Sequence, residues 1–218
     1  MKRNLNVRKL EKILKLMRKE AYRRDAPVFR KERIFGKDPF KILVLGILST
    51  RTKDEKTFEA GLKLFSKISS PQELARMKTR EIEKLIYGVG FYKNKARILK
   101  LAAKQIVKEF GGKVPENLED LLKIKGVGKK VAKVVLAQVF GKPYIAVDVH
   151  VHRISNRLGL VSTKSPEETD KILEKIIPDK LKVEFNRTLV GFGQTVCKPL
   201  KPLCDECPIK KFCPKIGV

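Results

Sequence analysis

Four cysteines lie close together at the C-terminal end of the sequence, and they constrain its fold more than any other feature. Their spacing is Cys197-x6-Cys204-x2-Cys207-x5-Cys213, and residues 1–196 contain no cysteine. A disulfide framework would be spread along a small secreted chain, whereas a cluster in an intracellular protein indicates a metal site. Four thiolates within 17 residues suit a tetrahedral zinc or an iron–sulfur cluster, and the number of ligands alone does not choose between the two.

The rest of the sequence carries helix signals and no strand signal. Ser70 and Ser165 each begin a capping box that has proline at the first helical position, and Asn117 is placed to cap a short helix. There is no Asn-Gly hairpin turn that would indicate a β-hairpin. We therefore predict an all-α fold of about ten helices. These helices include residues 53–65, 94–110, 118–123 and 129–140.

The formal net charge of +26 indicates a polyanionic partner, either nucleic acid or an anionic membrane surface. The most apolar stretch, Phe40 to Leu48, is interrupted by Lys41 and Gly46 and is about half of the ~18–20 residues that a membrane span requires. The first 20 residues lack the apolar core of a signal peptide. We therefore expect a soluble, intracellular protein that binds nucleic acid and no membrane. The high share of Lys and Glu also leans towards a hyperthermophile.

A short helix, a tight turn and a second helix are predicted around Gly126, Val127 and Gly128. Glycines let the chain turn sharply, and the unpaired N–H groups at the positive end of the second helix can hold a phosphate. This helix-hairpin-helix pattern grips the DNA backbone without reading its sequence. An ordinary turn between helices is the simpler interpretation, but the net charge and the flanking Lys129 and Lys133 favour DNA binding.

Asp148, His150 and His152 form a second polar group further along the chain. Asp148 stands where a helix would begin, so its simplest role is to cap that helix. The two histidines are two residues apart and do not share a helix face, which makes them a poor metal pair. We interpret both histidines as structural.

These motifs together resemble those of the endonuclease III family of DNA glycosylases. The resemblance rests on the hairpin that continues into Lys129-Lys130, on the segment 146–150 and on the cysteine spacing. Residues 38–54 also resemble the early helix and the DNA-inserting loop of that family, so the similarity covers nearly the whole chain. The resemblance, and not the number of ligands, implies a [4Fe–4S] cluster on the four cysteines.

The same resemblance implies a domain organisation for the 218 residues. Residues 30–142 would form a six-helix domain that contains the helix-hairpin-helix motif. Residues 1–29 together with 143–218 would form a helical iron–sulfur domain. DNA would lie in the cleft between the two, with Lys130 and Asp148 facing each other.

Lys130 implies a bifunctional enzyme, since relatives that remove adenine or thymine from mismatches carry a hydroxyl-type residue at this position. A lysine amine can attack the anomeric carbon of a flipped-out nucleoside and form a Schiff base, after which β-elimination breaks the strand on the 3′ side. Asp148 would stabilise the positive charge that develops on the sugar. The expected partner is double-stranded DNA that contains damaged bases, chiefly oxidised pyrimidines, or abasic sites. We expect a monomer in the cytoplasm, associated with the nucleoid.

Arg51 departs from the family pattern, which usually has glutamine at this position. The residue is expected to fill the gap left by the extruded base, and arginine can donate to the orphaned partner base and stack on its neighbours. Because of this change, the sequence does not decide which base is preferred opposite the lesion. Two alternatives also stay open, namely a mismatch or uracil-type specificity on the same scaffold and a non-catalytic DNA-binding module with a structural metal. Such a module would need neither Lys130 nor Asp148.

Overall fold

The structure, a computed structural model, describes residues 6–218. These residues form twelve α-helices, one short 3₁₀-helix and no β-strand, which confirms the all-α prediction. The helices are α1 (Val7–Arg23), α2 (Pro27–Phe35), α3 (Pro39–Ser49), α4 (Asp54–Phe65), α5 (Pro71–Arg76), α6 (Thr79–Leu85), α7 (Tyr92–Glu109), α8 (Leu118–Lys123), α9 (Lys129–Gln138), α10 (Val149–Arg157), α11 (Pro166–Ile176) and α12 (Asp179–Thr195), with the 3₁₀-helix at Lys210–Phe212.

The described chain divides into two compact units. The central unit comprises Phe35–Gly141, and the terminal unit combines the described residues up to Ile34 with Lys142–Val218. The expectation that the first five residues belong to an iron–sulfur domain lies outside the described residues.

Helix α3 is the core of the central unit. Asp38 caps it by accepting a hydrogen bond from the N–H of Lys41 at 2.9 Å, and eight of its eleven residues are buried. A helix that is apolar on all sides lies inside a domain, and α3 packs against α4, α7 and α9. A Cβ atom on Gly46 would lie 2.7 Å from Cγ1 of Val131, so glycine at this position is what lets α3 and α9 come this close. This packing fixes the first turn of α9.

The helix starts predicted at Ser70, Asn117 and Ser165 are confirmed. Each of these side chains accepts a hydrogen bond from the N–H three residues further along the chain. In the two serine caps, the glutamate of the box accepts from the N–H of the residue before the cap, Ser69 or Lys164. The glutamates therefore stabilise the entry into each helix one residue earlier than the capping box predicts.

The terminal unit is built around α12, which packs against α1 and α10. Met17, Phe185 and Phe192 are fully buried in its apolar core. A Cβ atom on Gly191 would lie 3.0 Å from the ring of Phe29, so α12 presents a flat surface to this aromatic side chain. No helix in the described part of the chain is both long enough and apolar enough to cross a membrane.

Candidate nucleic-acid interface and cysteine pocket

The turn between α8 and α9 is held against α7 by two contacts. Gly126 has a φ of +83°, and a Cβ atom at this position would lie 2.2 Å from Cγ2 of Ile98. The Gln105 side chain donates to the carbonyl of Lys123 and accepts from the N–H of Lys125, both at 3.0 Å. Glycine suits position 126 because it adopts a left-handed conformation without strain and leaves room for the Ile98 side chain. The hairpin is thereby fixed in position without a ligand.

The first turn of α9 offers free N–H groups beside two lysines. Gly128 is the N-cap, has no side chain to cap the helix and has open space where a Cβ atom would be. Lys129 is exposed, Lys130 is half-buried, and Val127 anchors the turn in the core. Unpaired N–H groups at the positive end of a helix form an anion site. Lys133 is only 7% exposed, and this burial counts against the direct phosphate contact that the sequence suggested.

A second turn, between α3 and α4, presents Arg51. This residue is exposed and has a φ of +51°, a left-handed conformation that is uncommon for a long side chain. The neighbouring Phe91 is also left-handed and is 65% exposed. Between them, the N–H of Gly90 donates to Oγ1 of Thr52 at 3.2 Å, and a Cβ atom on Gly90 would lie 2.5 Å from the carbonyl oxygen of Arg51. The two turns therefore support each other through the Thr52 hydroxyl and through the close approach of their backbones.

Phe91 was not identified from the sequence. Nothing in the sequence pattern separates an exposed phenylalanine from a buried one. Exposed apolar side chains of DNA-binding proteins insert between base steps or stack on bases, and Phe91 has the exposure that such a contact needs.

Asp148 is the N-cap of α10 in the terminal unit and is half-buried. Its Oδ1 accepts hydrogen bonds from the N–H groups of His150 and Val151, both at 2.9 Å, so the capping role is confirmed. Both capping bonds are accepted by Oδ1, and neither uses Oδ2. Nδ1 of His152 lies 2.7 Å from Oγ1 of Thr169, in a polar contact within the unit, which agrees with a structural role for that histidine.

The four cysteines line one pocket in the terminal unit, together with apolar side chains. All four are half-buried, and none forms a disulfide. Burial raises the pKa of the Cys207 and Cys213 thiols, and the neighbouring cysteines raise it further. In residues 6–218 no three His, Cys, Asp or Glu side chains are close enough together to form a preorganised metal site. The structure thus brings the four thiols to one largely apolar pocket.

Two arginines of α10 hold the start of the cysteine loop, and the sequence analysis did not identify them. Arg157 donates to the carbonyls of Lys198 at 2.7 Å and Pro199 at 3.0 Å, and its Nη1 lies 3.4 Å from Sγ of Cys197. Arg153 donates to the carbonyl of Cys197 at 2.8 Å. Arginines four residues apart on a basic helix are too common to indicate such a role from sequence. They place positive charge beside Cys197 and satisfy carbonyls that follow the end of α12.

Comparisons with known proteins identify relatives of the whole arrangement. Residues 44–179 match the family described as HhH-GPD superfamily base excision DNA repair protein. An endonuclease III from Thermotoga maritima is 48% identical over 176 residues, which are 81% of this chain and 83% of the relative. A trapped endonuclease III–DNA covalent intermediate is similar in structure, with a TM-score of 0.82, 31% identity and 97% of each chain covered. A thermostable thymine-DNA glycosylase has a TM-score of 0.74 and 30% identity, covering 82% of this chain and 84% of that one.

Proposed function

Since this chain belongs to the endonuclease III family of helix-hairpin-helix base excision repair proteins, it is a DNA glycosylase with AP lyase activity, and we propose that Lys130 is its nucleophile. The placement of Lys130 carries this proposal. It lies in the first turn of α9, directly after the hairpin that grips the DNA backbone, and it is half-buried where its neighbour Lys129 is exposed. A phosphate contact needs an exposed lysine, whereas a nucleophile needs a fixed and partly desolvated one.

The Lys130 nitrogen then acts in two stages, first as the nucleophile and afterwards as the nitrogen of a Schiff base. The free amine attacks the anomeric carbon of the flipped-out nucleoside, and the base leaves with the electrons of the glycosidic bond and takes up the proton that the amine nitrogen releases. The C1′–O4′ bond of the sugar ring then breaks, O4′ takes up a proton, and the nitrogen forms a double bond to C1′. The resulting Schiff base makes the neighbouring C2′ proton acidic. Loss of that proton expels the 3′ phosphate by β-elimination. A single lysine thereby accounts for both glycosylase and lyase activity.

Asp148 is proposed to stabilise the positive charge on the sugar as the glycosidic bond breaks. Its Oδ1 is held by the two N–H groups of the cap, which fixes the carboxylate without neutralising it. A preorganised charge of this kind needs no reorganisation during the reaction, which is why such groups contribute strongly to catalysis.

We propose double-stranded DNA with oxidised pyrimidines or abasic sites as the substrate, bound by the protein as a monomer. The N–H groups at the start of α9 and the exposed Lys129 would contact phosphates, and Arg51 would occupy the space of the extruded base, with Phe91 beside it. Thymine removal from mismatches, the activity named for one structural neighbour, is the second candidate. Lysine at position 130, where mismatch-specific relatives carry a hydroxyl-type residue, favours the lyase.

The cysteine pocket is proposed to hold a [4Fe–4S] cluster. The observation that fits it is the gathering of Cys197, Cys204, Cys207 and Cys213 around one pocket that is otherwise largely apolar. When bound, the cluster would cross-link the loop after α12 and contribute folding energy. Purified protein should absorb broadly near ~400 nm and contain iron and sulfide. A colourless protein with one zinc would overturn the choice of cofactor and leave the fold unaffected.

The nucleophile is tested by Lys130→Gln, with Lys129→Gln as the matched control in the same helical turn. Lys130→Gln should abolish strand cleavage and borohydride trapping of the protein–DNA adduct, while duplex binding weakens by one phosphate contact at most. Lys129→Gln should weaken binding and keep trapping. Persistent trapping in Lys130→Gln would show that another amine is the nucleophile.

A further inference from the structure

Lys95 is a buried lysine whose charge is balanced by backbone and hydroxyl oxygens and not by a carboxylate. It lies in the first turn of α7 and is only 5% exposed. Its Nζ donates to the carbonyl oxygens of Leu48 at 2.7 Å and Thr50 at 2.5 Å, and to Oγ1 of Thr52 at 2.9 Å. These three bonds use all three N–H groups of the ammonium.

The three acceptors show what the ammonium does. Leu48 belongs to the last turn of α3, where carbonyls lack helical partners and the helix dipole is negative, so Lys95 caps this helix end from the side. Thr50 and Thr52 stand immediately before and after Arg51. The ammonium therefore binds both flanks of the exposed arginine from the interior of the central unit.

Arg51 needs such support, because its backbone is left-handed. A non-glycine residue in this conformation is strained relative to ordinary backbone, and it persists only where its surroundings enforce it. Oγ1 of Thr52 accepts from Lys95 and from the N–H of Gly90 and lies 3.3 Å from the carbonyl oxygen of Thr50, to which it donates. One hydroxyl thus connects the lysine to both sides of the turn.

Burial of the lysine is costly, which argues for a specific use. Desolvation lowers the pKa of Lys95 to about 8, and an apolar side chain would fill the same place without that cost. The oxygens it binds lie at the turn and at the helix end that leads into it. These hydrogen bonds are therefore specific to the lysine, and an apolar side chain that filled the same space would not make them.

We propose that Lys95 is a positioning residue that holds the turn 49–53 so that Arg51 is presented to DNA in one fixed orientation. This inference rests on the proposed role of Arg51 in filling the space of the extruded base. Lys95 itself does not touch DNA. Its effect on the preference for damaged over intact DNA passes through Arg51.

The first measurement concerns the turn alone and needs no enzyme activity. Lys95→Met should speed hydrogen exchange of the backbone amides of residues 50–53 on the order of ten-fold, since one charge-assisted hydrogen bond corresponds to at least that factor. Lys100→Met is the matched control, because Lys100 lies on the same helix and donates to the carbonyl of Met77 at 2.7 Å, at the end of α5. It removes the same charge and should leave exchange in residues 50–53 unchanged. Equal exchange in wild type and Lys95→Met would overturn the proposal.

The second measurement is a double-mutant cycle on the ratio of affinities for damaged and intact duplex. Lys95→Met and Arg51→Ala should each lower this ratio, and the double variant should be no worse than Arg51→Ala alone. If Lys95→Met lowers the affinity ratio as much in the Arg51→Ala background as it does in the wild-type background, the role of Lys95 is purely structural and the proposal is overturned. If Arg51→Ala leaves the ratio unchanged, the role of Arg51 fails, while the exchange measurement still decides whether Lys95 holds the turn. Should Lys95→Met not fold, Thr52→Val removes only the shared hydroxyl, and the same two results are expected.

Discussion

The hairpin turn gives a sharp test, because its two glycines are required for different reasons. Gly126→Ala places a methyl group 2.2 Å from Cγ2 of Ile98 in a residue with a φ of +83°. The left-handed backbone costs an alanine about 1–2 kcal/mol, and overpacking of a core costs about 1–3 kcal/mol. We therefore expect Gly126→Ala to lower the free energy of unfolding by about 2–5 kcal/mol, a large part of the stability of an ordinary domain.

Gly128→Ala is the matched control. Its φ is −92°, which any residue adopts, and no atom lies within 4 Å of the added methyl group. The expected loss of stability is about 0.5–1 kcal/mol, because alanine is a poorer N-cap than glycine. The methyl group would however stand beside the N–H groups that are proposed to bind phosphate. Gly128→Ala should therefore weaken binding to undamaged duplex while the protein stays folded.

The assays are urea denaturation for stability and duplex binding at several salt concentrations for the phosphate contact. Ile98→Ala in the Gly126→Ala background should recover the packing part of the loss and leave the backbone part, so the two changes should not be additive. If Gly126→Ala is as stable as wild type, the close packing of the hairpin against α7 is wrong. If Gly128→Ala is destabilised as strongly as Gly126→Ala, or binds duplex normally, the division of roles between the two glycines is wrong.

Three further predictions concern charge. Asp148→Asn keeps the capping oxygen and removes the charge, so turnover should fall by about 10²–10³-fold while the melting temperature changes little. A lower melting temperature with normal turnover would leave Asp148 only its capping role. Lys129→Ala should reduce the slope of log affinity for undamaged duplex against log salt by about 0.9. Arg51→Ala should leave this slope unchanged and lower only the preference for damaged DNA. The opposite pattern would show that the phosphate contact and the base-extrusion role are assigned to the wrong turns. Hydrogen bonding from Arg23 lowers the pKa of Glu20 to about 2, so its stabilising effect is present above pH ~4.5 and is lost as the pH falls towards 2. The difference in melting temperature between wild type and Glu20→Gln should shrink across that range, and a constant difference would contradict this ion pair.

Local chemistry explains which parts of the fold were predictable. Helix starts at Ser70, Asn117 and Ser165 were predicted because a polar side chain accepts a backbone N–H within one turn, which depends on a few neighbouring residues. Helix α7 begins at Tyr92, two residues before the predicted residue 94, and its N-cap Phe91 is left-handed and makes no side-chain capping bond that the sequence could have signalled. A helix start that tertiary contacts determine leaves no local signal.

The burial of lysines was not predictable for a related reason. Lys129 and Lys133 are one turn apart, a spacing that predicts a shared exposed basic face, yet Lys133 is buried where α9 packs within the central unit. Lys95 likewise lies in a run of basic residues, and only the structure shows its oxygen partners. The side-chain type gives the charge, but the packing of α9 and α7 decides whether that charge faces solvent or a helix end. Sequence reasoning therefore finds candidate DNA contacts and overestimates their number.

Helix α7 links the two turns that are proposed to contact DNA. Lys95 in its first turn holds the flanks of Arg51, and Ile98 and Gln105 further along hold the hairpin around Gly126. A helix rises 1.5 Å per residue, so the separation of these supports is fixed by a rigid element and not by the loops themselves. The turn that is proposed to bind phosphate and the turn that carries Arg51 are thus held at a set distance from each other without DNA. In the proposed binding mode, Arg51 would enter the duplex without the entropy cost of ordering its own turn, so a change inside α7 is expected to alter lesion recognition without touching a residue that is proposed to contact DNA.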